Sequence, residues 1–314
     1  MVKPLGENVR SNARLHYTGR QQPTVGETDS DGRSLYPYLP NEDLIEAVNL
    51  TLQLGRPLLL KGEPGCGKTR LAYDVAYELR LPFEPWYIKS TSRARDGLYT
   101  YDTVGRLRDA QLAAGSMIKP EDLSRISDPA TYVKWGAIGR AFRNVQQTVV
   151  LIDEIDKADI DFPNDLLLEL DESRFLVEET GDVIKANHRP IVLITSNDEK
   201  ALPNAFLRRC LFHYVTFPSD ERLVEIIQRF FPETSPSLAR AAIDRFSALR
   251  QEMSKEKAGK KVSTSELIDW FDILRRHPED EVLKKLEGKL PYPGLLLKSW
   301  DDHRRYLARM GGLG

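Results

Sequence analysis

Apolar residues recur with two periods along the chain, and the switches between them outline its organisation. Over 41–54, Leu44, Ile45, Val48 and Leu52 fall on one helical face. Asn41 stands where a cap accepts the first free N–H groups, Glu42 and Asp43 make an acidic first turn, and Gly55 ends the run. Short unbroken apolar runs then take over, at 57–60, 85–88, 148–152, 191–195 and 212–216. Runs without polar alternation suit strands covered on both faces, as in a parallel sheet between helices. Helical spacing over 69–81, 137–144 and 162–172 supplies the covers. After Pro218 the period is helical throughout, over 222–231, 237–253, 265–276, 279–286 and 300–310. The pattern predicts an α/β domain over 38–218 followed by a small all-helical domain over 219–314. Residues 1–34 carry Gly, Asn, Ser, Thr, Arg and Gln without a sustained apolar period, so 1–37 is expected to be a poorly ordered arm.

Composition narrows the setting. The 314 residues suffice for two domains, and 45 Lys plus Arg against 47 Asp plus Glu leave a net charge of -2. No overall basic excess marks a partner of nucleic acid or of an anionic membrane. Cys66 and Cys210 lie far apart with no metal-ligand spacing, which argues against a disulfide framework or structural zinc and favours a reducing, cytoplasmic setting. Residues 1–12 hold no apolar signal segment, and apolar runs such as 149–152 fall far short of the roughly 20 residues of a membrane span.

Candidate chemistry begins after the first strand run. Gly62-Glu63-Pro64-Gly65-Cys66-Gly67-Lys68-Thr69 is a complete G-x-x-x-x-G-K-[ST] sequence between a strand and a helix. Its glycines let successive N–H groups converge on phosphate oxygens, and a helix N-terminus adds positive potential. Lys68 is expected at the β and γ phosphates and the Thr69 hydroxyl on Mg²⁺. With the adjoining Arg70, residues 62–70 form the candidate nucleotide-binding set. The run at 149–152 ends in Asp153 and Glu154, at the carboxyl end of a strand, where open α/β sheets bind ligands. Asp153 is expected in the metal shell and Glu154 as the base for the attacking water. A third strand run ends in Thr195-Ser196-Asn197, which puts Asn197 at the level of the γ phosphate. Cys66 has two readings, a thiol acidified by the helix N-terminus or a small residue filling a tight loop.

These residues resemble an AAA+ ATPase, a P-loop NTPase core followed by a helical lid, with Walker A at 62–69, Walker B at 151–154 and sensor 1 at Asn197. The wording GEPGCGKT, LIDEIDKAD and LPNAFLRRC resembles the MoxR and dynein-related branch, as does a hairpin expected over 174–185 with its turn at Thr180-Gly181. Residues 93–111 fall where that branch inserts into its second helix. The resemblance implies ATP and Mg²⁺ as cofactors, Mg²⁺-dependent ATP hydrolysis, and assembly into a ring of identical subunits, usually a hexamer. It puts Arg209, with Arg208 adjacent, at the arginine finger that completes a neighbour's site. It also implies a chaperone-like remodelling of a protein client, commonly with a von Willebrand factor A domain partner. By analogy residues 38–41 and the stretch near Pro218 frame the base. One departure stands out: the branch usually carries a sensor 2 arginine where this chain has Ser263-Thr264-Ser265-Glu266, a capping box, and only Arg275 or Arg276 follows on a later turn.

Charge bears on the client. Residues 153–182 hold twelve acids against Lys157 and Arg174, and an acidic hairpin tip repels nucleic-acid phosphates. Basic clusters at 255–261 and 303–305 lack interleaved aromatics and read as solvated surface. Tyr99 and Tyr101 face either a partner or the core. Besides the remodelling ATPase, two readings stay open: a nucleotide-dependent assembly scaffold with slow hydrolysis, motivated by the missing arginine, and a nucleic-acid motor that uses GTP or ATP.

Overall fold

The computed structural model describes residues 15–24, 26–29, 32–115, 126–255 and 261–309. Positions 1–14 of the expected arm and 256–260 of the basic cluster lie outside them.

The five apolar runs form one five-stranded parallel sheet. Its strands are β1 (Leu58–Lys61), β2 (Phe83–Tyr87), β5 (Val149–Asp153), β8 (Ile191–Ser196) and β9 (Leu211–Tyr214), in the order β2-β5-β8-β1-β9. Leu58 of β1 stands opposite Leu193 on one side and Leu211 on the other. β5 and β8 are buried at every position, as their unbroken runs require, whereas β2 and β9 lie at the edges and are partly exposed. Edge position is what lets β2 contain Pro85. It also displaces the strand to 83–87 from the expected 85–88, because Phe83 and Glu84 pair with Val149 and Val150.

Helix α1 (Glu42–Leu54) begins at Asn41, whose side chain accepts from the Leu44 N–H at 3.0 Å, and ends at the left-handed Gly55. Helix α2 (Lys68–Leu79) leaves the loop after β1. α1 and α2 close one face of the sheet through a cluster including Val48, Leu58, Leu71, Val75 and Leu193. Ile138, Phe142, Ile152, Phe162 and Phe206 belong to the cluster on the other. The expected helix over 162–172 is interrupted at Leu166, giving Phe162–Asp165 and Leu167–Glu172.

Two small antiparallel pairs decorate the sheet. β3 (Tyr99–Tyr101) pairs with β4 (Val133–Trp135), and the 174–185 hairpin appears as β6 (Arg174–Val177) and β7 (Asp182–Lys185) with Gly181 at positive φ. Tyr99 takes the packing role, buried and stacked on Phe175 at 6.1 Å. After Pro218 the described residues contain helices and no strand. Their cluster includes Leu223, Phe246, Leu267, Trp270 and Tyr306.

The expected arm differs from residue 15 onward. Tyr17 is fully buried, its N–H donates to Asn49 on α1 at 2.9 Å, and its hydroxyl donates to Asp74 on α2. The Thr18 N–H and hydroxyl both donate to Glu78. One aromatic and two acids on α2 fix a segment whose composition alone carries no such signal.

Candidate functional site

The carboxyl ends of β1, β5 and β8 converge. The loop after β1 carries Gly65 and Gly67 at φ 74° and 97°, a backbone that side chains with a Cβ rarely adopt. A Cβ on Gly65 would stand 2.2 Å from Ser263, and one on Gly67 3.0 Å from the Tyr38 ring. Lys68 is buried, and its ammonium donates to the carbonyls of Gly62 at 2.8 Å and Glu63 at 2.9 Å.

Asp153 ends β5. Its Oδ1 accepts from the Thr69 hydroxyl at 2.8 Å and the Thr195 hydroxyl at 2.7 Å. Thr195 in turn accepts from the Glu154 N–H at 2.8 Å. Glu154 sits at φ 59°, an unfavourable backbone for a residue with a long side chain. Its Oε1 accepts from the Asn197 amide at 3.0 Å and its Oε2 pairs with Lys157, a hydrogen bond that raises the Lys157 ammonium above its ordinary value. The structure thus joins Thr69 to Asp153 and Asn197 to Glu154.

Arg70 lies on α2 with its guanidinium 4.4 Å from the Tyr36 ring centroid. Arg209 ends the helix Asn204–Arg209 and pairs with Asp171 through Nε at 2.8 Å. Cys66 follows the second of its two readings, a small buried residue in a tight loop, because burial pushes its thiol up rather than toward the thiolate. Arg275 and Arg276 both pair with Asp272, so local acid accounts for both cations.

Sequence reasoning missed three contributors. Thr195 bridges Asp153 and Glu154, and Asp156 accepts from the Asn197 and Glu199 N–H groups at 3.1 and 2.9 Å. Both stand within runs already singled out, so the polar ends of β5 and β8 were the available signal. Arg250 carried none: it lies far along the chain yet pairs with Glu63 of the loop.

A cavity of about 680 Å³ adjoins the loop, lined on one side by Tyr38 and Asn41 and on the other by Pro218 and Ile268. A nucleoside triphosphate with Mg²⁺ fits these groups. The close-packed glycine loop with its lysine supplies phosphate donors, and the Thr69 and Asp153 oxygens are the hard ligands Mg²⁺ takes. No cluster of three or more His, Cys, Asp or Glu suited to a metal occurs among the described residues.

Comparisons with known proteins agree. Residues 57–210 match the AAA domain of the dynein-related subfamily. Over 175 residues the chain is 29% identical to the denitrification regulatory protein NirQ of Stutzerimonas stutzeri, covering 55% of this chain and 53% of that protein. Over 198 residues it is 27% identical to protein NorQ of Paracoccus denitrificans (strain Pd 1222), covering 61% of this chain and 64% of that protein. The chain therefore spans less than two thirds of either relative. Residues 57–210, just under half of the chain, thus carry an AAA domain of the dynein-related subfamily.

Proposed function

We propose that this protein hydrolyses ATP with Mg²⁺, works as a ring of identical subunits, and uses hydrolysis to remodel or activate a protein partner. The observation that carries the chemistry is the junction of Thr69 and Thr195 on Asp153 beside Asn197 on Glu154. The loop N–H groups and Lys68 hold the phosphates. Thr69 and Asp153 hold Mg²⁺, which when bound offsets phosphate charge. Asn197 orients Glu154 and meets the γ phosphate, and the Glu154 carboxylate accepts a proton from the attacking water. Arg209 serves the neighbouring subunit's site.

A hexameric ring in the cytoplasm, a von Willebrand factor A domain partner and chaperone-like action are further parts of the proposal, drawn from the branch resemblance. The name of NirQ speaks of regulation, which supports action on a partner. No helix among the described residues is long and apolar enough to cross a membrane. The slow-hydrolysis scaffold draws support from one contact, because Lys157 on Glu154 restrains the base until the pair parts.

Glu154→Gln tests the chemistry. The variant is expected to bind ATP with Mg²⁺ normally in equilibrium titration while phosphate release falls by two or more orders of magnitude. Near-normal turnover would remove Glu154 from the role of base.

A further inference from the structure

Beyond Ser196 the chain leaves the sheet, yet each of the next three N–H groups finds a side-chain acceptor. The Asn197 and Glu199 N–H groups both donate to Oδ2 of Asp156, at 3.1 and 2.9 Å, and the Asp198 N–H donates to the Ser196 hydroxyl at 3.0 Å. Asp198, between the two that converge, takes φ 62°. A left-handed residue placed in this way turns its flanking amides toward one point, the concavity in which backbone N–H groups hold an anion. Here the anion is the chain's own carboxylate. Asp156 stands in the turn Ile155–Lys157 that follows β5 and is only 2% exposed. Its other oxygen, Oδ1, is buried and has no hydrogen-bond partner among the described residues. A buried acceptor without a partner costs stability, so the fold gives something up to keep an aspartate at this position.

A second tie runs the opposite way. Lys200, just past the loop, donates through Nζ to the carbonyls of Lys157 at 3.3 Å and Ala158 at 3.0 Å. The turn after β5 thus grips the loop after β8, and that loop grips the turn. Glu154 belongs to the first segment and Asn197 to the second, and their side chains meet at 3.0 Å. Lys61 pairs with Asp198 at 2.6 Å, but Asp198 is largely exposed and such a pair holds weakly. The position of Asn197 against Glu154 is therefore set chiefly by Asp156.

We propose that Asp156 is a positioning residue for ATP hydrolysis: by filling the concavity of the 197–199 loop, its carboxylate sets the Asn197 amide on the Glu154 base. The inference rests on the hydrolysis reading above and deepens it. Asp156 touches neither nucleotide nor water and acts only through Asn197. Its removal therefore slows the chemical step, leaves ATP binding in place, and matters only while Asn197 is present. A merely structural aspartate would lower activity to the same extent whether Asn197 is present or not.

The test follows single-turnover phosphate release from ATP with Mg²⁺ on the full chain, with equilibrium ATP affinity and thermal melting of each variant. Asp156→Ala is expected to slow release about a hundredfold while ATP affinity stays within about twofold, the pattern of a misplaced group rather than of lost binding. Asp156→Asn keeps an acceptor oxygen of the same reach and is expected to restore most of that rate, falling short because a neutral acceptor holds N–H groups more weakly. In an Asn197→Ala background, Asp156→Ala is expected to cost at most about threefold more, since the group it positions is already gone. Lys200→Met, at an exposed site, cuts the second tie without touching the core. It is expected to show the same dependence on Asn197 at smaller amplitude, and it carries the test if Asp156→Ala does not fold. Release at the wild-type rate in the folded variant, or a loss that multiplies with that of Asn197→Ala, would overturn the positioning role and leave hydrolysis standing. A wild-type protein that releases no phosphate would overturn the hydrolysis reading itself, and this inference with it.

Discussion

Asp74 on α2 shows what one buried acid does to the pH dependence of the fold. Burial pushes its carboxyl from 3.8 up to about 7, against the opposing hydrogen bond from Tyr17, while Glu78 nearby raises it further. A carboxyl that keeps its proton when folded and loses it when unfolded makes the folded state the better proton binder between about pH 4 and pH 7. Stability from this group is therefore present at the acid side and falls as pH rises through 7, at a slope approaching about 1 kcal/mol per pH unit. Asp74→Asn removes that slope and retains an acceptor for the Tyr17 hydroxyl. Denaturant titrations at pH 5, 6, 7 and 8 are expected to show the variant gaining on the wild type as pH rises; parallel curves would mean that Asp74 is ionised throughout. The same neighbourhood marks a limit of sequence reading. Asn41, and Ser263 with Glu266, were legible because a cap binds groups three residues away. Tyr17 with Asp74 was not, because 57 residues separate the partners.

Elements were legible where burial is symmetric. β5 and β8 are covered on both faces and read as unbroken apolar runs, so their positions agree with expectation to within a residue. The edge strands drifted because half-exposed strands mix apolar and polar positions. Between β2 and β5 the helix expected over 137–144 stands at Ala137–Arg143, whereas the helix Ala94–Leu98 and the strand pair β3 and β4 were not legible, in part because close backbone contact there leaves no side-chain pattern. The helices Ala94–Leu98 and Ala137–Arg143 approach so closely that a Cβ on Gly139 would stand 2.0 Å from the Leu98 carbonyl oxygen. On Gly136 it would stand 2.2 Å from the Asp96 carbonyl oxygen. Because these obstacles are backbone, no rotamer change relieves them. Gly139→Ala is therefore expected to cost about 2 kcal/mol in chemical denaturation, the usual range for overpacking. An unchanged midpoint would show that the two helices separate freely. The same stretch steers the hairpin, for Arg95 stacks on Tyr99, pairs with Glu178 and Glu179 at the hairpin tip, and so neutralises part of its acidic charge.

At the scale of the whole molecule the open question is what Arg209 serves. Its helix is held at the end that carries Arg209 by Arg56, which donates to the backbone carbonyls of Arg208, Arg209 and Cys210, so the arginine leaves from a fixed base. Its partner Asp171 is about half exposed, and an exposed pair of this kind holds by only about 0.2–1 kcal/mol. In the proposed ring, a triphosphate carried by a neighbouring subunit would outbid so weak a restraint, whereas in an isolated chain Arg209 would stay on Asp171. The expected consequence is a complementation pattern. Arg209→Ala subunits lose most hydrolysis by themselves, since every site lacks its incoming cation, and Glu154→Gln subunits lose it because every site lacks its base. In a mixture, a junction that pairs the intact Glu154 of one subunit with the intact Arg209 of the next is whole, so phosphate release recovers to about a quarter of the wild-type rate at equal proportions if subunits mix at random and junctions act independently. Light scattering coupled to size exclusion on the same samples establishes that mixed rings have formed. Recovery would show that the guanidinium works across a subunit boundary. Mixed rings without recovery would confine Arg209 to its own chain, where the Asp171 pair is its whole role.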